Sequence, residues 1–351
     1  MINNILNKIK ELIKELYSQS KNAYKYFNKK IMPLLKTTLR KYKKNFRNIT
    51  SAITQQWKVA GLGFSLFIIV YYGIGAAISS KLNNTLDYEI KISQTSPTYT
   101  GNALTYILKS QIDDTAWTPS LPAFFPASVL DNLPNFQLGV KNSLNYIVKK
   151  LAKHHNSYHL KNASELLDYP ADIWLFSQTN DKLSPGSAKQ YRKAISHIIE
   201  FCSSNDNTTT DTSNLLISLN SINKLLQKQL KTIEKQIQEH NSEFFDFSSD
   251  NIFYQTQGTV YTSYYILNAL QKDYQDVIVN TNQYENITTA LMFLNKAISL
   301  QPTIIKNASP EDIYGANHLL YLAYYISQAQ NYIKTIYYTI KDFKDTTQNV
   351  N

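Results

Sequence analysis

Val59 to Ser80 reads VAGLGFSLFIIVYYGIGAAISS, 22 residues without a charge, set between Lys58 and Lys81. As a helix this stretch is about 33 Å long, close to the roughly 30 Å hydrocarbon core of a bilayer. Trp57 and Lys58 stand where an aromatic and cationic interface anchor belongs, and Tyr71 and Tyr72 fall within the run. A buried core helix rarely goes this far without a charge. A cleaved secretory signal is the rival reading, but its basic leading region would be nearly 60 residues long, so an uncleaved anchor is favoured. The run therefore predicts one transmembrane helix at 59–80.

Charge on the two sides of the run differs sharply. The 351-residue chain carries a net +10, yet residues 1–58 hold 14 Lys/Arg against only Glu11 and Glu15, leaving the remainder slightly acidic. Arg40, Lys41, Lys43, Lys44, Arg47 and Lys58 precede the run, whereas only Lys81 and Lys91 come closely after it. Positive flanks stay in the cytoplasm. The expected location is the inner (plasma) membrane of a bacterium, with the N-terminus cytoplasmic and the C-terminal part periplasmic. Gly61 to Ser65 and Gly73 to Ala77 have the small-xxx-small spacing through which a second copy of the span can pack as a homo-oligomer.

The basic segment is itself patterned. Ile2, Ile5, Ile9, Leu12 and Leu16 recur at helical spacing, and after Pro33 so do Leu35, Leu39, Tyr42, Phe46, Ile49 and Ile53. The pattern predicts two amphipathic helices broken near Lys30 to Pro33. Such an arm suits an anionic lipid surface; a short coiled coil fits the second stripe equally well. No nucleic-acid module accompanies the charge, so no nucleic-acid partner is expected.

Beyond the run the period is helical. Residues 81–100 read as a stalk with one short strand over Leu86 to Ile92, residues 101–345 as an all-α helical bundle, and 346–351 as a disordered tail. Helices are expected at 101–112, 135–154, 185–202, 213–240, 257–278, 285–300 and 310–342, with Ser213 as a cap for the fourth. A single cysteine, Cys202, permits neither an internal disulfide nor a thiolate metal centre, and its apolar setting makes it buried and inert. Nine glycines include no phosphate-binding loop, and no nucleophile elbow or metallohydrolase motif occurs.

The densest unusual stretch is WTPSLPAFFPASVLDNLPNFQLG at 117–139. Its prolines deny the backbone helical donors, so its rings must be packed or must bind something. Packing as a lid on the helical core is one reading. Binding is the other, with Trp117, Phe124, Phe125, Asp131 and Asn135 as candidate contacts to a protein, lipid or glycan. An enzyme would need carboxylates and a base together, for which Asp113, Asp114, Asp131, Asp172 and His318 are the candidates. His155 and His159 are spaced i, i+4 beside His154, but lysines surround them, so no metal and no cofactor is expected.

Together with LLDYPADIW (166–174), NIFYQTQGTVY (251–261) and Asn317-His318-Leu319, the 117–139 stretch resembles bacterial proteins carrying domain of unknown function 2333, over about residues 59–340. The resemblance implies a single-span inner-membrane protein and carries over no catalytic residue. The expected role is that of a non-enzymatic envelope component, with a membrane-anchored enzyme acting on cell-wall or lipid material as the alternative.

Overall fold

A computed structural model of the chain describes residues 7–8, 11, 27–41, 57–79, 82–128, 131–179, 182–204, 211–239, 247–302, 305 and 317–348. Most of the basic arm and the C-terminal end of the tail lie outside these. The chain divides into two units, Met1–Tyr71 and Tyr72–Asn351.

In the first unit, Phe27–Ile31 forms a π-helical turn that runs into a helix at 32–41, with Pro33 in its first turn. Proline is tolerated there because a first-turn N–H has no helical partner to lose. Helix α1, Trp57–Ser79, takes in Lys58 and the uncharged run as far as Ser79. Among the described residues, no helix is long and apolar enough to cross a membrane; within α1 the described side chains are Trp57 and the run from Gly61 to Gly75.

Among its described residues, the second unit is all-α apart from one hairpin. Its helices are α2 (Tyr99–Lys109), α3 (Asn132–His155), α4 (Tyr158–Leu167), α5 (Ser187–Ser203), α6 (Thr212–Glu239), α7 (Phe247–Asp273), α8 (Gln275–Asn280), α9 (Tyr284–Ile298) and α10 (His318–Gln348). Strands β1 (Phe176–Thr179) and β2 (Lys182–Pro185) pair antiparallel, Phe176 opposite Pro185. Helix α7 is the centre of the bundle and touches α2, α3, α6, α9 and α10. It is wrapped on all sides, so its polar residues are buried as well: Thr256, Gln257, Thr259, Thr262 and Ser263. Their hydroxyls stay satisfied by back-bonding, with Thr262 donating to Gly258 O and Ser263 to Thr259 O. That uniform burial erases the amphipathic stripe by which the start of a helix is read. Consequently α7 begins at Phe247 rather than at the 257 expected from periodicity.

Other helices keep their stripe. In α6, Leu215, Leu219, Ile222, Leu226 and Ile233 are fully buried, and in α10 the same holds for Leu319, Leu322, Ile326, Ile333, Ile336 and Ile340. Each contributes roughly 1.5–3 kcal/mol of apolar burial. The cap of α6 is Asp211, whose Oδ1 accepts from Ser213 N at 2.9 Å, so Ser213 receives a cap rather than being one.

The segment read as a stalk lies on the bundle. Ile90 is buried, Tyr88 stacks on Tyr106 with ring centroids 3.9 Å apart, Tyr265 donates its hydroxyl to Thr85 O, and Gln111 donates to Asn83 O. No strand forms over 86–92.

Candidate functional site

The proline-aromatic stretch divides into a buried root and an exposed tip. Trp117 is only 3% exposed; its Nε1 donates to Ala171 O at 2.8 Å and its ring meets Tyr191 edge-on. Tyr191, itself buried, donates its hydroxyl to Tyr169 O at 2.8 Å. Gln137 on α3 holds the root: its Oε1 accepts from Thr118 N and Thr118 Oγ1, and its Nε2 donates to Gln111 O and Ala116 O. Ala116 sits at φ 70°, in the left-handed region that an alanine enters only when its surroundings hold it there. Trp117 is thus packed into the core at the root of the loop.

The tip is different. Phe124 is 57% exposed, and the Phe124, Phe125 and Trp174 rings meet pairwise with centroids 4.8–5.6 Å apart. Leu175, Phe176 and Leu183, at the base of and within the hairpin, are exposed. The hairpin base is fixed by Ser187, which donates to Pro170 O and accepts from Ile173 N. Gly186 N donates to Leu175 O, and a Cβ at Gly186 would lie 2.2 Å from Trp174 O. The three rings thus form an aromatic cluster beside a hairpin that exposes further apolar side chains. Rims of this kind mark interaction surfaces more often than chemistry.

The end of α1 meets this tip. Tyr72 donates its hydroxyl to Ala123 O at 3.0 Å, and a Cβ on Gly75 would fall 1.7 Å from Pro126 Cβ. Gly75 is thus used for close approach within the chain, whereas Gly61, Gly63 and Gly73 have open space.

Asp131 and Asn135 stand at the start of α3. Asn135 donates to Asp131 O and to Asn251 Oδ1. Burial, and after it the charge of Asp131, pushes Asp250 up to about 6. The native state therefore holds this proton more tightly than the unfolded chain does, and the group's contribution to stability falls as pH rises from the ordinary carboxylate range through 6. Asp250→Asn is expected to raise stability at pH 7.5 by on the order of 1–2 kcal/mol. Thermal melts at pH 7.5 and 4 check this, since the gap should close at the lower pH.

The carboxylates considered for catalysis each have a different partner. Asp113 is paired with Arg192 at 2.9 Å, the charge of Asp114 acts on Tyr106, that of Asp172 on Tyr191, and that of Asp131 on Asp250. His318 opens α10, which Asn317 caps by accepting from Leu320 N. Neither the groove of about 740 Å³ lined by Lys149, Lys150, Lys153 and Lys161 nor the small cavity beside Cys202 is lined by any of them. Cys202 is buried, and burial pushes its thiol up to about 11.

The histidines also rearrange. Helix α3 ends at His155, Asn156 adopts φ 47°, and α4 starts at Tyr158, so His155 and His159 share no helical face. His155 packs on Phe201, while His159 meets His197 and Glu200 of α5. The spacing His197-Ile-Ile-Glu200 is readable as one helical face, but its partner lies 38 residues earlier and is reached only by folding.

The family described as an uncharacterized protein conserved in bacteria (DUF2333) matches residues 215–337. The match takes in α7, α8, α9 and most of α6 and α10, with the 251–261 and 317–319 segments of the resemblance, and leaves 117–139 outside. No curated protein and no solved structure matches the chain.

Proposed function

We propose that the chain is a single-pass inner-membrane protein of the bacterial envelope, with residues 1–58 as a cytoplasmic arm on anionic lipid, 59–80 as the span, and the helical unit in the periplasm as a non-enzymatic binding domain. The observation that carries this reading is α1. Its 23 residues make a helix about 34 Å long. Leu66, Phe67, Ile68, Ile69, Val70 and Tyr71 are exposed in succession, so apolar side chains cover the helix all round. Water does not tolerate such a surface, and lipid does. The open space at Gly61, Gly63 and Gly73 leaves room for a second span. The Phe124, Phe125 and Trp174 patch with the hairpin beside it is the surface for a protein or envelope ligand, and the enzymatic alternative is disfavoured because none of the carboxylates considered for it lines the lysine groove or the cavity beside Cys202.

A phosphatase fused after residue 351 is expected to be active and a fluorescent reporter there dark; the reverse pattern places the domain in the cytoplasm. Ile68→Arg with Ile69→Arg is expected to move the chain out of alkali-washed membranes, each arginine costing about 2.5–3.5 kcal/mol near the centre of a span. Full retention of that double variant in the membrane pellet removes the span. Crosslinking from membranes with Phe124→Ala and Trp174→Ala tests the patch, and an unchanged partner profile removes it.

A further inference from the structure

Helices α4 and α5 pack side by side and bring His159, His197 and Glu200 together. His159 Nδ1 and His197 Nδ1 each lie 2.9 Å from the same oxygen, Oε2 of Glu200, and the two imidazole centroids are 5.9 Å apart. All three ligand atoms fall within 4.8 Å of one another. A hydrogen-bonded triad accounts for only half of this. His197 Nδ1 makes a hydrogen bond to Glu200, whereas His159 Nδ1 is close to the carboxylate, buried, and without any hydrogen bond. A buried imidazole nitrogen facing a carboxylate and a second imidazole, with no hydrogen bond of its own, is in its unprotonated form a lone-pair donor without an electron-pair acceptor.

A divalent cation supplies one. Zinc bonds of about 2.0–2.2 Å to nitrogen and oxygen, arranged tetrahedrally, set neighbouring ligand atoms roughly 3.4 Å apart. Opening the two 2.9 Å separations by a few tenths of an ångström needs only small side-chain rotations. Two nitrogens and one carboxylate select a borderline transition cation over magnesium or calcium, which take oxygen. All three side chains are partly solvent-exposed, which leaves the remaining coordination position to water.

We propose that His159, His197 and Glu200 form a three-ligand site for a divalent transition cation of the zinc class, clipping α4 to α5. This stands independently of the membrane reading. The test uses the full chain in detergent micelles, purified without a polyhistidine tag. Titration with Co²⁺ is expected to give the visible absorption of a tetrahedral site saturating at one equivalent, displaced by Zn²⁺, and Zn²⁺ is expected to raise the thermal midpoint. Glu200→Gln, which keeps the shape of the side chain, and His197→Ala should both abolish the band; His155→Ala should keep it. Far-UV circular dichroism shows that each variant is folded, and the Glu200→Gln result decides should His197→Ala fail to fold. No saturable band in the unaltered chain, or a band unchanged in Glu200→Gln, overturns the site and leaves a hydrogen-bonded triad.

Discussion

Gly258→Ala is expected to lower the stability of the helical unit by about 2–3 kcal/mol, although alanine is the better helix former. A Cβ at Gly258 would stand 2.1 Å from Phe136 O, 2.8 Å from Val140 N and 3.1 Å from the Gly139 carbonyl carbon. All three are backbone atoms of α3 and cannot turn aside. Gly139 faces α7 in the same way, its Cβ falling 2.1 Å from Gln255 O. The two helices thus touch main chain to main chain, and an added methyl group forces their axes apart along a seam that buries Phe136, Val140, Leu144 and Tyr261. Gly63→Ala is the control, since nothing lies within 4 Å of its Cβ. Thermal melts in one detergent should show Gly258→Ala lowered by about 5–10 °C and Gly63→Ala unmoved or raised. An unchanged midpoint for Gly258→Ala would mean that α3 and α7 are not in backbone contact.

Gln137→Leu is the second large effect, expected at about 3 kcal/mol or more. The volume is nearly kept, so packing is not the cause. What is lost is four hydrogen bonds at one buried amide, leaving Thr118 N–H, Thr118 O–H, Gln111 O and Ala116 O unpaired in the interior. Each orphaned group costs its desolvation, and the strained φ at Ala116 loses what holds it. The loop root should loosen and Trp117 become wet. Tryptophan emission is then expected to shift to longer wavelength in the folded variant, and Gln137→Glu should not restore it, because a carboxylate cannot donate to Gln111 O and Ala116 O. Unaltered emission and melting would show that the root is held by packing alone.

How much of this could be read from residues depends on the kind of signal. The stripes of α6 and α10 declare themselves because one face alone is buried, and Cys202 declares itself by its apolar neighbours. Helix α4, YHLKNASELL, is too short to show a period, and its start rests on Ser157, whose hydroxyl oxygen accepts from Leu160 N. The hairpin has no apolar alternation to announce it. Trp117 and Phe124 are seven residues apart in one motif, yet one is core and the other surface. Composition does not distinguish them, because burial depends on what α3 and α5 bring to each ring.

The sequence by itself determined the uncharged helix, the concentration of positive charge before it, and the all-α character of the C-terminal unit, because these depend on local composition and on the 3.6-residue period. Tertiary structure alone decided which aromatic rings are exposed, where the carboxylates go, that the 82–90 segment is part of the bundle, and that His159 meets His197 and Glu200. Those outcomes depend on contacts between residues tens to hundreds of positions apart, whose partners no local pattern encodes.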